Sequence, residues 1–142
     1  MTTYKELKEQ LVDMGFEEDE ILSETEYARL VRNAINRAQD VIYTTVCIPI
    51  ESFLLLFDND WEFTDEKHID SPTKIKKDTK ETFNIGLSDY VMPLLPLLTA
   101  YYVWLDDDIN KATYYYNQYD SMKMELMSAA QRPKMARIEG GI

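Results

Sequence analysis

Residues 94–120 read LLPLLTAYYVWLDDDINKATYYYNQYD, two runs with helical spacing divided by three consecutive aspartates. Before the break Leu94, Leu97, Leu98, Tyr101, Tyr102 and Leu105 recur every three or four residues. After it Ile109, Ala112, Tyr115, Tyr116, Tyr119, Met122 and Leu126 do the same, and side chains so spaced share one face of a helix. Asp106, Asp107 and Asp108 fall where the turn must lie. An aspartate there caps the second helix through its first free N–H groups and suits the positive end of its dipole. The stretch predicts two helices folded back on each other, an αα-hairpin, and a mainly α domain around it.

Upstream, the clearest stripe is Tyr27, Leu30, Val31, Ala34, Ile35, Ala38, Val41 and Ile42, which predicts a helix from Glu24 to about Thr45 with one buried face. Thr3 with Glu6, and Ser23 with Glu26, have the spacing of a capping box and mark two helix starts. The first helix carries Tyr4, Leu7, Leu11 and Met14 and meets Gly15, a left-handed stop. Phe16, Ile21 and Leu22 flank the acidic residues 17–20, which read as a solvated connection. Pro49 is expected to interrupt the second helix, with Ile50, Phe53, Leu54 and Phe57 beginning a short further one.

Residues 58–84 are charged and rich in Thr and Lys, with Trp61 and Phe63 alternating on one side and Phe83 and Ile85 on another. A loose β-hairpin or a projecting loop fits this composition, and a loop of such length is a candidate interaction element. Ser88 is placed to cap the next helix, where Pro93 or Pro96 is tolerated only near the first turn. Past the hairpin, residues 131–142, QRPKMARIEGGI, carry Arg132, Lys134 and Arg137 against Glu139, a net charge of +2 in a chain whose total is −11. The expected organisation is one helical domain, 1–130, followed by an arm, 131–142.

The 142 residues suit a single domain, which at this size buries about 70 % of its unfolded surface. An excess of acidic side chains opposes gripping phosphates or anionic lipid over a broad surface. MTTYKELKEQL lacks the apolar core of a secretory signal, and residues 91–105, interrupted by prolines, fall short of the roughly 18 residues of a membrane span. A soluble protein is expected. Cys47 is the only cysteine and has no internal disulfide partner, which fits a reducing compartment.

Motifs for chemistry are sparse. None of Gly15, Gly86, Gly140 and Gly141 lies in a phosphate-cradling loop. One cysteine and one histidine cannot build a structural zinc site, and His68, Asp70 and Ser71 resemble a triad only by adjacency. The acidic series Asp58, Asp60, Glu62 meets Phe63 where a calcium loop needs glycine and Ile69 where it needs glutamate. No cofactor, metal or enzymatic activity is expected. Tyrosine is the abundant aromatic, and Tyr114, Tyr115 and Tyr116, about 100° apart in turn, cannot all face one core. Some must meet a second surface, a position that suits a ring with a polar tip.

The segments LPLLTAYYVWLDDD and KATYYYNQYD resemble the C-terminal helical hairpin of head–tail connector proteins of tailed bacteriophages. The resemblance covers the helices from Ser23 to Ile42 and from Ser88 to Ala130, and rests on packing residues. It implies a small, helical, non-enzymatic virion protein, assembled in the host cytoplasm as a homo-oligomeric ring, usually dodecameric, at the head–tail interface. Its partners would be the portal protein and a tail or second adaptor protein, with DNA passing through unread and no membrane. Under it, Arg132, Pro133, Lys134, Met135, Arg137 and Ile138 form a portal-binding arm. Arg29, Arg32, Arg37, Tyr114, Tyr115 and Tyr119 meet neighbouring subunits, and Trp61, Phe63 and Phe83 face the tail. Two other classes remain open at this point. One is a cytoplasmic helical protein-interaction module or regulator using the tyrosine face; the other is a small metal-dependent enzyme built on Asp106, Asp107 and Asp108.

Overall fold

The computed structural model describes residues 2–15, 26–57 and 71–130. They hold α1 (Tyr4–Asp13), α2 (Glu26–Ile42), a π-helical turn (Tyr43–Cys47), α3 (Ile48–Phe57), α4 (Leu94–Trp104) and α5 (Ile109–Ala130). The fold is a small, mainly α bundle, as the periodicity predicts. The expected helix start at Ser23, the connection through residues 16–22, the side chains of Phe53, Leu54 and Phe57, and Trp61, Phe63, His68 and the arm 131–142 lie outside the described residues.

Helix α4 occupies the centre. Leu94, Leu95, Pro96, Leu97, Leu98, Thr99, Ala100 and Val103 are all buried, so it is covered on every side rather than along one stripe. It packs against α5 in the expected hairpin, against α2 and against α1. The hairpin turn works as the three aspartates predict: Asp108 Oδ1 accepts from Lys111 N–H at 3.2 Å, while Asp106 and Asp107 remain exposed. Upstream, the Ser88 carbonyl accepts from Val91 and Met92 N–H, forming a turn that leads into α4. Pro93 and Pro96 thus stand at the helix start, where backbone donors are free.

Helix α1 begins with the predicted capping box, Thr3 Oγ1 accepting from Glu6 N–H and the Glu6 carboxylate from Thr3 N–H, both at 3.2 Å. It ends at Gly15, whose φ of 99° lies in the left-handed region. Its remaining free donors find partners far along the chain: Tyr4 N–H donates to the Phe83 carbonyl at 2.8 Å and Lys5 N–H to Glu81 at 3.0 Å. Ile85 N–H donates back to Thr2, completing a lone antiparallel bridge between Thr3 and Asn84.

That bridge corrects the expectation for the later part of the middle region. The described residues 71–84 neither project nor form a hairpin. They lie along the bundle, with Ile75, Ile85 and Leu87 buried and Phe83 packed on the core. The clamp is Asn36 of α2, whose Nδ2 donates to the Ile75 carbonyl at 2.8 Å and whose Oδ1 accepts from Ile75 N–H at 2.7 Å. A side-chain amide thereby satisfies both polar groups of a backbone unit, as a neighbouring strand would. Gly86 permits a close approach of the chain to Pro72: a Cβ there would stand 3.2 Å from Pro72 Cα, tight enough to push the two backbones apart by a few tenths of an ångström. Lys8 secures the same segment, its ammonium 3.1 Å from Glu81 and 4.4 Å from the centre of the Tyr4 ring. The Lys8 contact holds the Glu81 carboxyl below its usual value.

Pro49 does not interrupt the helix, contrary to the sequence-based expectation. The chain runs helically from Glu26 to Phe57 because residues 43–47 widen into a π turn, in which Ile48 N–H donates to the Tyr43 carbonyl five residues back. In an α-helix the Pro49 ring would collide with the Thr45 carbonyl; the wider turn moves that group aside. Thr44 and Thr45 hydroxyls donate to the carbonyls of Asp40 and Val41, at 2.9 and 2.6 Å, where the widening begins.

Cys47 sits in this turn with no exposed surface. Burial first, and the Glu51 carboxylate second, push its thiol from 9.0 up to about 12. In the native protein at pH 8, Ellman's reagent is therefore expected to leave Cys47 unmodified, reacting only as fast as the protein unfolds; rapid stoichiometric labelling of folded protein contradicts the burial. The raised value also means that the contribution of this group to stability is complete below pH 9 and declines as pH rises from about 9 towards 12, where the unfolded thiol ionises first.

Candidate interaction surfaces

Helix α5 has two flanks of unlike chemistry on either side of its buried stripe. On one flank tyrosines from both arms of the hairpin meet. The Tyr101 ring lies 5.1 Å from Tyr102 and 4.9 Å from Tyr116, and Tyr116 lies 5.8 Å from Tyr119, spacings at which tilted rings attract. Arg37 of α2 reaches over this group, its guanidinium 4.3 Å from the Tyr102 ring centre. Burial raises the Tyr102 phenol, with Arg37 opposing the shift. Tyr116 remains 40 % exposed, so the rings form a partly open patch edged by a cation.

The expected subunit-contact residues separate in the structure. Arg29 and Arg37 share the exposed face of α2 with Leu30 and Asn33, spaced by three and four residues. Arg32 is half-buried on the flank nearer Asn36. Tyr114, 58 % exposed, belongs to the other side of α5. Tyr115 is half-buried and serves the fold, its hydroxyl donating to the Met14 carbonyl at the end of α1 at 2.9 Å.

Tyr119 is a core residue, 2 % exposed, and not a subunit contact. It falls one turn from Tyr115 and two from Ala112 on the stripe facing α4, so the rings of α5 that reach other surfaces are Tyr114 and Tyr116. The Tyr119 hydroxyl lies by Thr45, whose own proton goes to the Val41 carbonyl; burial raises the Tyr119 phenol, with the Thr45 hydroxyl opposing the shift.

On the opposite flank of α5 runs a groove. One part, about 630 Å³, lies between the end of α1, the start of α4 and α5, with Met14, Met92, Pro96 and Leu97 as its apolar lining and Asp13 and Asp89 at its edge. It continues through Leu97, Gln118 and Met122 into a second part of about 480 Å³, lined also by Tyr114, Ser121 and Glu125. Every charged residue lining the two parts is acidic. The α1 contribution had no counterpart in the sequence pattern, because Asp13 and Gln118 are brought together only by tertiary packing.

Among the described residues no three His, Cys, Asp or Glu side chains are grouped to hold a metal ion, and no helix is long and apolar enough to cross a membrane. Compared with family models, curated proteins and solved structures, the chain has no match.

Proposed function

We propose that the chain is a structural virion protein, a non-enzymatic adaptor that closes into a ring joining the portal to the tail at the DNA exit of a phage capsid. The observation that carries the reading is the pair of unlike flanks on α5. A head-to-tail interface that closes into a ring needs two different patches on each subunit, and an Arg37–tyrosine patch opposite an acidic, apolar groove supplies complementary ones. The resemblance of the hairpin segments to head–tail connectors points the same way. A net charge of −11 suits a channel lining that repels phosphates and lets the duplex slide. In this reading Arg132, Pro133, Lys134, Met135, Arg137 and Ile138 reach the portal. Tail-side contact falls to the region of Trp61 and Phe63, since Phe83 is engaged with the core.

Two measurements test the proposal. The mass of assemblies formed with and without portal protein should show a large ring; a monomer or dimer under both conditions would favour a helical interaction module with one partner on the tyrosine face. Removal of residues 131–142 is expected to leave a protein with the helical circular dichroism of the parent that no longer joins portal-containing heads. Head joining at the parental level by the shortened chain rejects the arm.

A further inference from the structure

We infer that the groove on the outer flank of α5 is the docking site for the chain's own basic tail, residues 131–142, in the free protomer. The chemistry of the two matches in both components. The groove has apolar walls from Met14, Met92, Leu97 and Met122 and an edge charged only by Asp13, Asp89 and Glu125. The tail alternates cations with apolar side chains, Arg132, Lys134 and Arg137 among Met135 and Ile138. Cations pair with the acidic edge while the apolar side chains leave water for the walls.

Reach is sufficient as well. The groove residues Glu125, Ser121 and Gln118 lie 5, 9 and 12 residues before Ala130 on the same helix, so about 7, 14 and 18 Å back at 1.5 Å per residue. Twelve residues of extended chain span up to about 40 Å. Pro133 cannot continue the helix and so favours a change of direction just past its end. An intramolecular ligand also operates at the high effective concentration set by a short tether, which favours docking within one chain over capture by a neighbour. The docking stands on the groove and the tail alone. If the ring reading holds too, the tail must leave the groove before a neighbouring subunit or the portal can use either.

The test is disulfide trapping in the full chain, where Cys47 is buried and silent. Ser121→Cys in the groove and Lys123→Cys on the opposite flank of α5 are each combined with Met135→Cys. Lys123 is the nearer to the tail along the helix, so proximity alone favours the control pair. Docking predicts that the Ser121→Cys pair oxidises about tenfold faster, as expected for a preorganised over an unguided tether. It also predicts an intrachain product and a fall to the control rate when Asp13→Lys and Glu125→Lys are added. Both acidic residues are exposed, so these changes spare the core. Equal rates for the two pairs, an unchanged rate after charge reversal, or a product found only between chains overturns the inference. Such a result would leave the mass of portal-bound assemblies, and hence the ring reading, untouched.

Discussion

Asn36→Ala is expected to destabilise the protein by about 3 kcal/mol and lower its melting temperature by roughly 10 °C, although the residue is only half-buried. Truncation removes the partners of both the Ile75 N–H and the Ile75 carbonyl, at 2.7 and 2.8 Å, and leaves a donor and an acceptor with nothing to replace them in a part-buried site. The effect extends along the chain, because the Ile75 backbone is where residues 71–87 are fastened to α2. Their release uncovers Ile75, Ile85 and Leu87. Asn36→Asp separates hydrogen bonding from bulk. The carboxylate still accepts from Ile75 N–H, but it sets an oxygen against the Ile75 carbonyl, so Asp should be about as damaging as Ala. Thermal unfolding followed by circular dichroism, with amide exchange at Ile75, checks both; an Asp variant as stable as the parent rules the clamp out.

Leu98→Ala is the second large effect, about 3 kcal/mol, again close to 10 °C. Leu98 is 1 % exposed on α4, the helix that α1, α2 and α5 all contact, and a cavity at its position has no solvent-facing side into which neighbours can collapse. Leu30→Ala provides the contrast. Leu30 belongs to the same kind of apolar stripe in the sequence but is 46 % exposed, and its truncation should shift the midpoint little. Denaturant titration of the two variants measures the difference, and similar losses in both would mean that α4 is not the centre of the core.

How much of this was readable in the chain follows from the range of each interaction. The Thr3–Glu6 box, the Gly15 stop and the Asp108 cap join residues three apart or act through one backbone angle, so residue type and spacing suffice to find them. The hairpin was legible for the same reason. Asn36 and Ile75 lie 39 residues apart, and nothing local in either marks the other. The placement of residues 71–87 was therefore hidden, and a charged, Thr-rich composition suggested a free loop instead. Among the tyrosines, spacing puts Tyr115, Tyr116 and Tyr119 on one stripe but does not say where that stripe ends, so it neither separates exposed Tyr116 from buried Tyr119 nor rules out the subunit contact that the resemblance implies for Tyr119. Pro49 misled because its usual consequence presumes an α-helical turn, and the wider turn that accommodates it has no signature beyond an ordinary run of helical residues. For the surfaces, the arginines and tyrosines were recognisable as types, whereas the groove exists only where α1 meets α5.

The π turn also sets the phase of everything that follows it. Each residue of an α-helix advances the face by about 100°, so one extra residue in a turn rotates α3 by that amount relative to α2 while leaving the two on one continuous path. Counting onward from Ile42 at 3.6 residues per turn, an unbroken α-helix would point the positions of Thr45 and Pro49 at the core. Instead Val46, Cys47 and Ile50 are buried there, one step later, and Thr45 is exposed. Forcing the turn into regular α geometry with all its residues in place would carry Val46 and Ile50 past the core face, whereas loss of one residue from positions 43–45 would restore that geometry and keep them on it. The turn acts as a clutch between two helices, and the number of its residues carries more structural information than their identity.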